Sequence, residues 1–350
     1  MENDSTEGQA SHFERIGRAG LRRILLVGLL LAGLYLLIPQ LVDMTDALSL
    51  IQGASLLPVL GSLICQGASY VSHAYVVRRI LLAFGPRLRL WRVLQITLAS
   101  AFATMLLPSA GLSGIALRAR YLSDDGCGLG ETFLTSNLES LGQSAAYSLM
   151  VLGAFVLHLQ QGQVPPWTSL LLLASVALLG ALFLVVALSD PHKRDWRYKS
   201  LARVNAIRSR WGRSEVAASS LEQRLVTLRQ AVRTLGSEAG AQLLLGNLGR
   251  AVFGALSLQL VLVAFGQAMP FYATIISFSL SDVLGGLTAL PAGLLVTETT
   301  LTALLVRSGV SPSVALAATL TFRLIAVWLP RLVGVGAWIN LERQCSRPLW

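Results

Sequence analysis

Apolar runs long enough to matter to a bilayer recur along nearly the whole chain, separated by short polar or basic interruptions. They cover residues 24–38, 55–77, 93–107, 131–157, 170–188, 241–265, 272–290 and 314–335, with shorter runs at 115–122 and 297–306. The short alternating segments of a membrane β-barrel are missing. This pattern predicts an all-α, polytopic helical membrane protein. Two runs are interrupted in a particular way. Residues 107–114 read LPSAGLSG and residues 290–295 read LPAGLL, each placing proline and glycine between two apolar stretches.

Composition agrees with that setting. Of 350 residues, 54% are hydrophobic and 13% charged, where a soluble domain carries about a quarter charged residues. Mean hydropathy is +0.63. The formal charge of +10 fits cytoplasmic loops facing anionic lipid, so nucleic acid is not an expected partner. Cys65, Cys127 and Cys345 form no CxxC pair, and His12, His73, His158 and His192 are scattered. Neither a disulfide framework nor a metal site is indicated, and no cofactor is expected.

Charge placement then orders the spans. Arg15, Arg18, Arg22 and Arg23 precede the first run, and no small-residue cleavage site follows Ile38-Pro39-Gln40. The reading is a retained first helix with a cytoplasmic N-terminus. Residues 190–240 hold the densest basic cluster, from Lys193 to Arg233, whereas QQGQVPPW (160–167) and GQAMPF (266–271) carry no charge. If residues 93–107 crossed fully, the basic cluster would lie outside. The conflict disappears if this run enters from the cytoplasm, breaks at 108–114 and returns. The same reading at 272–306 gives about six full crossings plus two broken or re-entrant hairpins, one opening to each side, in a candidate inverted repeat.

The expected organisation is a disordered cytoplasmic tail (1–14), then a first membrane half (15–189) with its hairpin at 93–122. A basic cytoplasmic linker (190–240) follows, with an amphipathic helix marked by Leu221, Leu225, Leu228, Val232 and Leu235. The second half (241–342) has its hairpin at 272–306, and a short cytoplasmic tail (343–350) ends the chain. Both termini fall inside a cell (inner) membrane protein.

The breaks supply the candidate site. Half-helix N-termini near the midplane present unpaired backbone N–H groups that suit an anion. Pro108, Gly111, Gly114, Pro291 and Gly293 shape them, and Thr297 starts the second new helix. Glu298 stands in its first turn, where it could cap its own helix for roughly half a kcal/mol to one. A mid-membrane acid nevertheless costs a few kcal/mol unless it is compensated. Arg323 is the expected partner, with exposed backbone amides assisting, and Asp282 is expected to converge on the same half. Glu139 follows the first break. Arg118 and Arg120 are expected near the cytoplasmic face, within reach of lipid phosphates or as plain positive-inside anchors.

The stretch LPAGLLVTETTLTALLVRSGVSPSVALAATLTFRLIAVWLP resembles the C-terminal motif of the lysylphosphatidylglycerol synthase transmembrane region, a flippase-like family. That family commonly reads Pro-Gly-Gly-Leu-Gly-x-x-Glu, then Gly-Val-x-x-x-x-Ala and Tyr-Arg before Trp-x-Pro. The matches here are Pro291, Gly293, Glu298, Gly309-Val310, Ala315, Arg323 and Trp328-x-Pro330. Ala292, Leu295 and Phe322 depart from it, and the acid often found soon after the first proline is absent. LLPSAGLSGIALRARYL with Glu139 is similar to the upstream motif, and the resemblance spans roughly residues 15–342.

The resemblance implies a translocase moving a polar-headed lipid between leaflets. The partners it implies are membrane lipids, whether anionic, aminoacylated or polyprenyl-linked, with a homo-oligomer or a lipid-synthesising protein beside them. Aminoacyl transfer belongs to a separate cytoplasmic domain in fused relatives and is not expected of this chain. One alternative is a non-catalytic membrane partner of a lipid-modifying enzyme. Another is an intramembrane serine protease, because Gly111-Leu112-Ser113-Gly114 has the GxSG form. Its nucleophile would need a general base within reach, and neither His158 nor His192 is well placed.

Overall fold

The computed structural model describes residues 53–83, 86–106, 112–159, 218–267, 269–286 and 293–344, and every regular element among them is helical. The first span, the loop at 160–167, the basic stretch to residue 217, and Pro108, Gly111 and Pro291 lie outside the described residues. In chain order the helices are α1 (Leu56–Ala83), α2 (Leu90–Leu106), α3 (Leu112–Ser123), α4 (Leu129–Leu159) and α5 (Ala218–Ala264). Then come α6 (Phe271–Gly286), α7 (Val296–Arg307) and α8 (Pro312–Arg323), which runs through a π-helical turn (Leu324–Trp328) into α9 (Leu329–Gln344). By length and composition, the stretches Leu129–Leu157, Glu238–Ala264 and Pro312–Gln344 can each cross a membrane.

Burial is arranged for a lipid solvent. On α1, Leu57, Leu60 and Ile64 are exposed whereas Ser62, Ser69 and His73 are buried. Apolar residues face outward and polar ones inward because the bilayer penalises an unsatisfied polar group and not an exposed leucine. Trp91 is also exposed, at the start of α2, as an interfacial tryptophan should be.

α1 and α5 form the central seam. Ser55 N–H donates to the Ala264 carbonyl at 3.0 Å, the Ser62 and Ser257 hydroxyls meet at 2.8 Å, and Ser69 donates to the Arg250 carbonyl at 2.9 Å. Gly246 packs against Val76 and Tyr75. Rising numbers on one helix meet falling numbers on the other, so the pair is antiparallel. Small residues permit that close approach. The remaining contacts repeat under exchange of the halves: α4 packs on α6 of the second hairpin, and α9 packs on α2 of the first. This exchange is what an inverted repeat requires.

Both breaks turn the chain back on itself. Ser113 Oγ donates to the Ala103 carbonyl at 3.0 Å, and a Cβ on Gly114 would lie 2.8 Å from the Ser100 carbonyl oxygen. Gly114 is therefore buried where α3 crosses α2, so it shapes the break from within the packing. In the second hairpin Gly293 has φ +64°, and a Cβ there would stand 2.8 Å from Gly285 Cα. Only glycine fits both the backbone and the space. Leu295, the N-cap of α7, also takes a positive φ, 71°. A leucine there is strained.

One boundary differs from the sequence reading. The amphipathic segment of the linker and the following span are a single helix, α5, of 47 residues. No proline interrupts residues 218–264, and isolated glycines cost a helix only about 1 kcal/mol each.

Candidate functional site

Two groups of buried charges lie inside the bundle. The first is centred on Glu139 of α4. Arg118 of α3 donates to it at 2.8 Å, His73 of α1 hydrogen-bonds its other oxygen, and Arg250 of α5 approaches that same oxygen at 3.8 Å. Three helices thus send a polar side chain to one carboxylate carried by a fourth. From Arg250 the network continues to Gln143 at 2.9 Å, from Gln143 to the Tyr147 hydroxyl at 3.0 Å, and from Tyr147 to Asp282 of α6 at 2.8 Å. A continuous line of side-chain hydrogen bonds and charge contacts therefore joins the first hairpin to the second.

The second group is the pair expected from sequence. Arg323 Nε donates to Glu298 Oε1 at 2.5 Å, with side-chain exposures of 7% and 14%. Glu298 stands in the first turn of α7, whose N-cap residue Leu295 makes no side-chain cap hydrogen bond. Glu298 Oε2 is buried and has no hydrogen-bond partner among the described residues. Among the described residues no backbone amide reaches that oxygen, unlike the expectation. Thr297 is buried beside it, its hydroxyl against Gly285 and Gly293.

The two groups meet around Tyr70 of α1. Its hydroxyl lies among the charges of Arg331, Arg250, Asp282 and Arg323. It also reaches the Ala326 carbonyl at 3.4 Å, while Arg331 Nη1 donates to the Val327 carbonyl at 2.8 Å. Both acceptors belong to the π turn, whose wider winding loosens the regular ladder and leaves carbonyls for side-chain donors. An edge-to-face relay of Tyr147, Phe278 and Phe322 fills the space between the groups.

Arg118 sits deeper than sequence placed it, and Arg120 and Asp282 gain specific partners. Arg118 is buried in the Glu139 cluster rather than exposed at a cytoplasmic mouth. A guanidinium that donates to a buried carboxylate has left the surface because the pair compensates the acid. Arg120 contacts Glu342 of α9 at 3.1 Å, and Tyr121 donates to the same carboxylate at 2.7 Å. That contact pins the end of α3 to the last helix. Asp282, expected to converge on the second half, lies there on α6 and accepts from Tyr147.

Arg250, Tyr70, Tyr147 and Arg331 complete the site and were missed. Arg250 lies within the fifth helix with no break or motif to mark it. His73 stands apart from the other histidines in sequence, but Ser62, Gln66, Ser69 and His73 share one face of α1 at 4-3-4 spacing.

The Ser113 hydroxyl is committed to the Ala103 carbonyl, and His73, the one histidine with a described side chain, pairs with Glu139. No serine–histidine pair is present among the described residues. Among those residues no group of acids, histidines and cysteines could hold a metal ion either.

Comparison with known proteins gives one family. The profile described as lysylphosphatidylglycerol synthase TM region matches residues 24–334. No curated protein matches the chain. The match covers most of its length, and the chain belongs to that family of membrane proteins.

Proposed function

We propose that this member of the lysylphosphatidylglycerol synthase transmembrane family translocates a polar-headed lipid between leaflets, acting as a transporter rather than as an aminoacyl transferase. The observation that carries the reading is the Glu298–Arg323 pair, buried in an apolar bundle beside a broken helix, with Glu298 Oε2 unpartnered. A carboxylate oxygen without a donor is costly to keep in a membrane interior. It fits a passing amine-bearing headgroup or a coupling proton.

The hairpins act as re-entrant elements of an inverted repeat. Helices α3 and α7 have 12 residues each, roughly 18 Å at 1.5 Å per residue, short of a hydrocarbon core of about 30 Å. In this scheme both termini are cytoplasmic, the setting is the cell membrane, and the partners are membrane lipids. The line from Glu139 to Asp282 lets one hairpin sense the other.

Leaflet-resolved transport by purified protein in proteoliposomes tests the reading, across anionic, aminoacylated and polyprenyl-linked lipids. Movement of at least one class above protein-free vesicles is expected. Movement of none would leave the protein as a non-transporting membrane partner.

A further inference from the structure

Arg331 is the cation that the network leaves over. Arg118 and Arg250 share Glu139, Arg323 takes Glu298, and Asp282 takes Tyr147. Arg331 has no carboxylate partner among the described residues. Its Nη1 is used on the Val327 carbonyl, but its Nε is buried and donates to nothing. Arg323 lies close enough for its charge to repel that of Arg331, and Tyr70 feels both charges, its hydroxyl bound only weakly, at 3.4 Å. A partly buried guanidinium beside a second one, with a spare N–H, is a costly arrangement unless an anion visits.

We propose that Arg331 and Tyr70, beside the π turn, form a binding site for the phosphate group of a phospholipid. Arginine suits this ligand because its planar fork bonds two phosphate oxygens at once, and the tyrosine hydroxyl supplies a neutral donor. The π turn holds both donors by its Ala326 and Val327 carbonyls, so the two side chains are positioned before ligand arrives. The site deepens and rests on the translocase reading. Glu298, paired with Arg323, then faces the remainder of the headgroup.

Binding, measured apart from transport, tests it. The purified full chain in neutral detergent is titrated with short-chain phosphatidylglycerol and, separately, with diacylglycerol of the same chain length, following thermal stabilisation. The phospholipid should stabilise the wild type and the diacylglycerol should not. Arg331→Gln should weaken the apparent affinity about tenfold or more, as loss of a charge-assisted bond implies. Exposed Arg343→Gln should leave it unchanged. Tyr70→Phe, expected to weaken binding about threefold, carries the same test should Arg331→Gln fail to fold.

Competition by inorganic phosphate would extend the site to free phosphate, whereas failure to compete would restrict it to phosphate carried on a lipid; both uphold phosphate recognition. Equal affinity of the wild type and Arg331→Gln, or of both Tyr70 forms, overturns the proposal. So does equal stabilisation by diacylglycerol. Arg331-dependent binding without leaflet transfer would remove only the translocase reading. Transfer without Arg331-dependent binding would remove only the phosphate site.

Discussion

Arg118 donates to Glu139 at 2.8 Å across two helices, yet Glu139 does not depend on it alone, because His73 and Arg250 reach the same carboxylate. Among the described residues Glu298 has a single cationic partner, Arg323. Removing one partner of a buried pair costs about 3–5 kcal/mol when the other is stranded. Arg323→Ala should therefore destabilise the protein more than Arg118→Ala, as read by thermal unfolding in detergent. Equal losses would show that the Glu139 cluster is not shared.

The pairing of Glu298 with Arg323 also predicts non-additivity. Glu298→Gln with Arg323→Ala should recover stability relative to Arg323→Ala alone, because no acid remains stranded. Transport should stay low in the double variant. A double variant as unstable as Arg323→Ala would mean that packing, not charge, sets the cost.

Gly293 and Gly285 touch back to back, and Leu295 carries φ 71° beside them. Gly293→Ala should lower stability by more than about 1 kcal/mol, since strain and overlap both oppose it. Leu295→Gly should raise stability by roughly 1 kcal/mol by relieving the left-handed conformation. Melting midpoints moving in opposite directions check this pair. A shift of the same sign in both would contradict the hairpin geometry.

Cys127 lies in the turn between α3 and α4 and is buried. Burial, followed by its contact with Glu131 and the nearby Asp125 charge, pushes its thiol up to about 12. The raised value favours the neutral thiol, and the thiolate is the form that reacts. Alkylation at pH 8 should therefore be slow in the folded protein and rapid after denaturation, followed by mass spectrometry. Fast labelling of native Cys127 would mean that this turn opens.

Sidedness follows from the charge pattern. Cysteines introduced at positions 210 and 163 in a cysteine-free background should label from opposite faces of the membrane. Labelling of both from one face would contradict the proposed crossings.

The Glu298–Arg323 pair was legible because both residues stand out within otherwise apolar segments, and a buried acid demands a cation. The hairpins were legible from proline and glycine punctuation, and Gly293 behaves accordingly. The Glu139 cluster was not legible. Its partners come from α1, α3 and α5, and the identity of the meeting face depends on how the α1–α5 seam rotates both helices. Arg118 was misplaced for a related reason: an arginine near a helix end looks like an anchor until its helix is packed. The continuity of α5 was hidden because a change from basic to apolar composition resembles a boundary, though helices tolerate it.

The most direct test of the central claim is the initial rate of leaflet-resolved lipid transfer by wild type and Glu298→Gln, in proteoliposomes matched for folded, inserted protein. The substitution keeps size and hydrogen bonding but removes the charge that Arg323 holds in place. The account predicts that transfer falls at least about tenfold, as loss of a charge-assisted contact implies, while folding is retained. Wild-type transfer by Glu298→Gln would contradict it and leave the glutamate as a structural partner of Arg323.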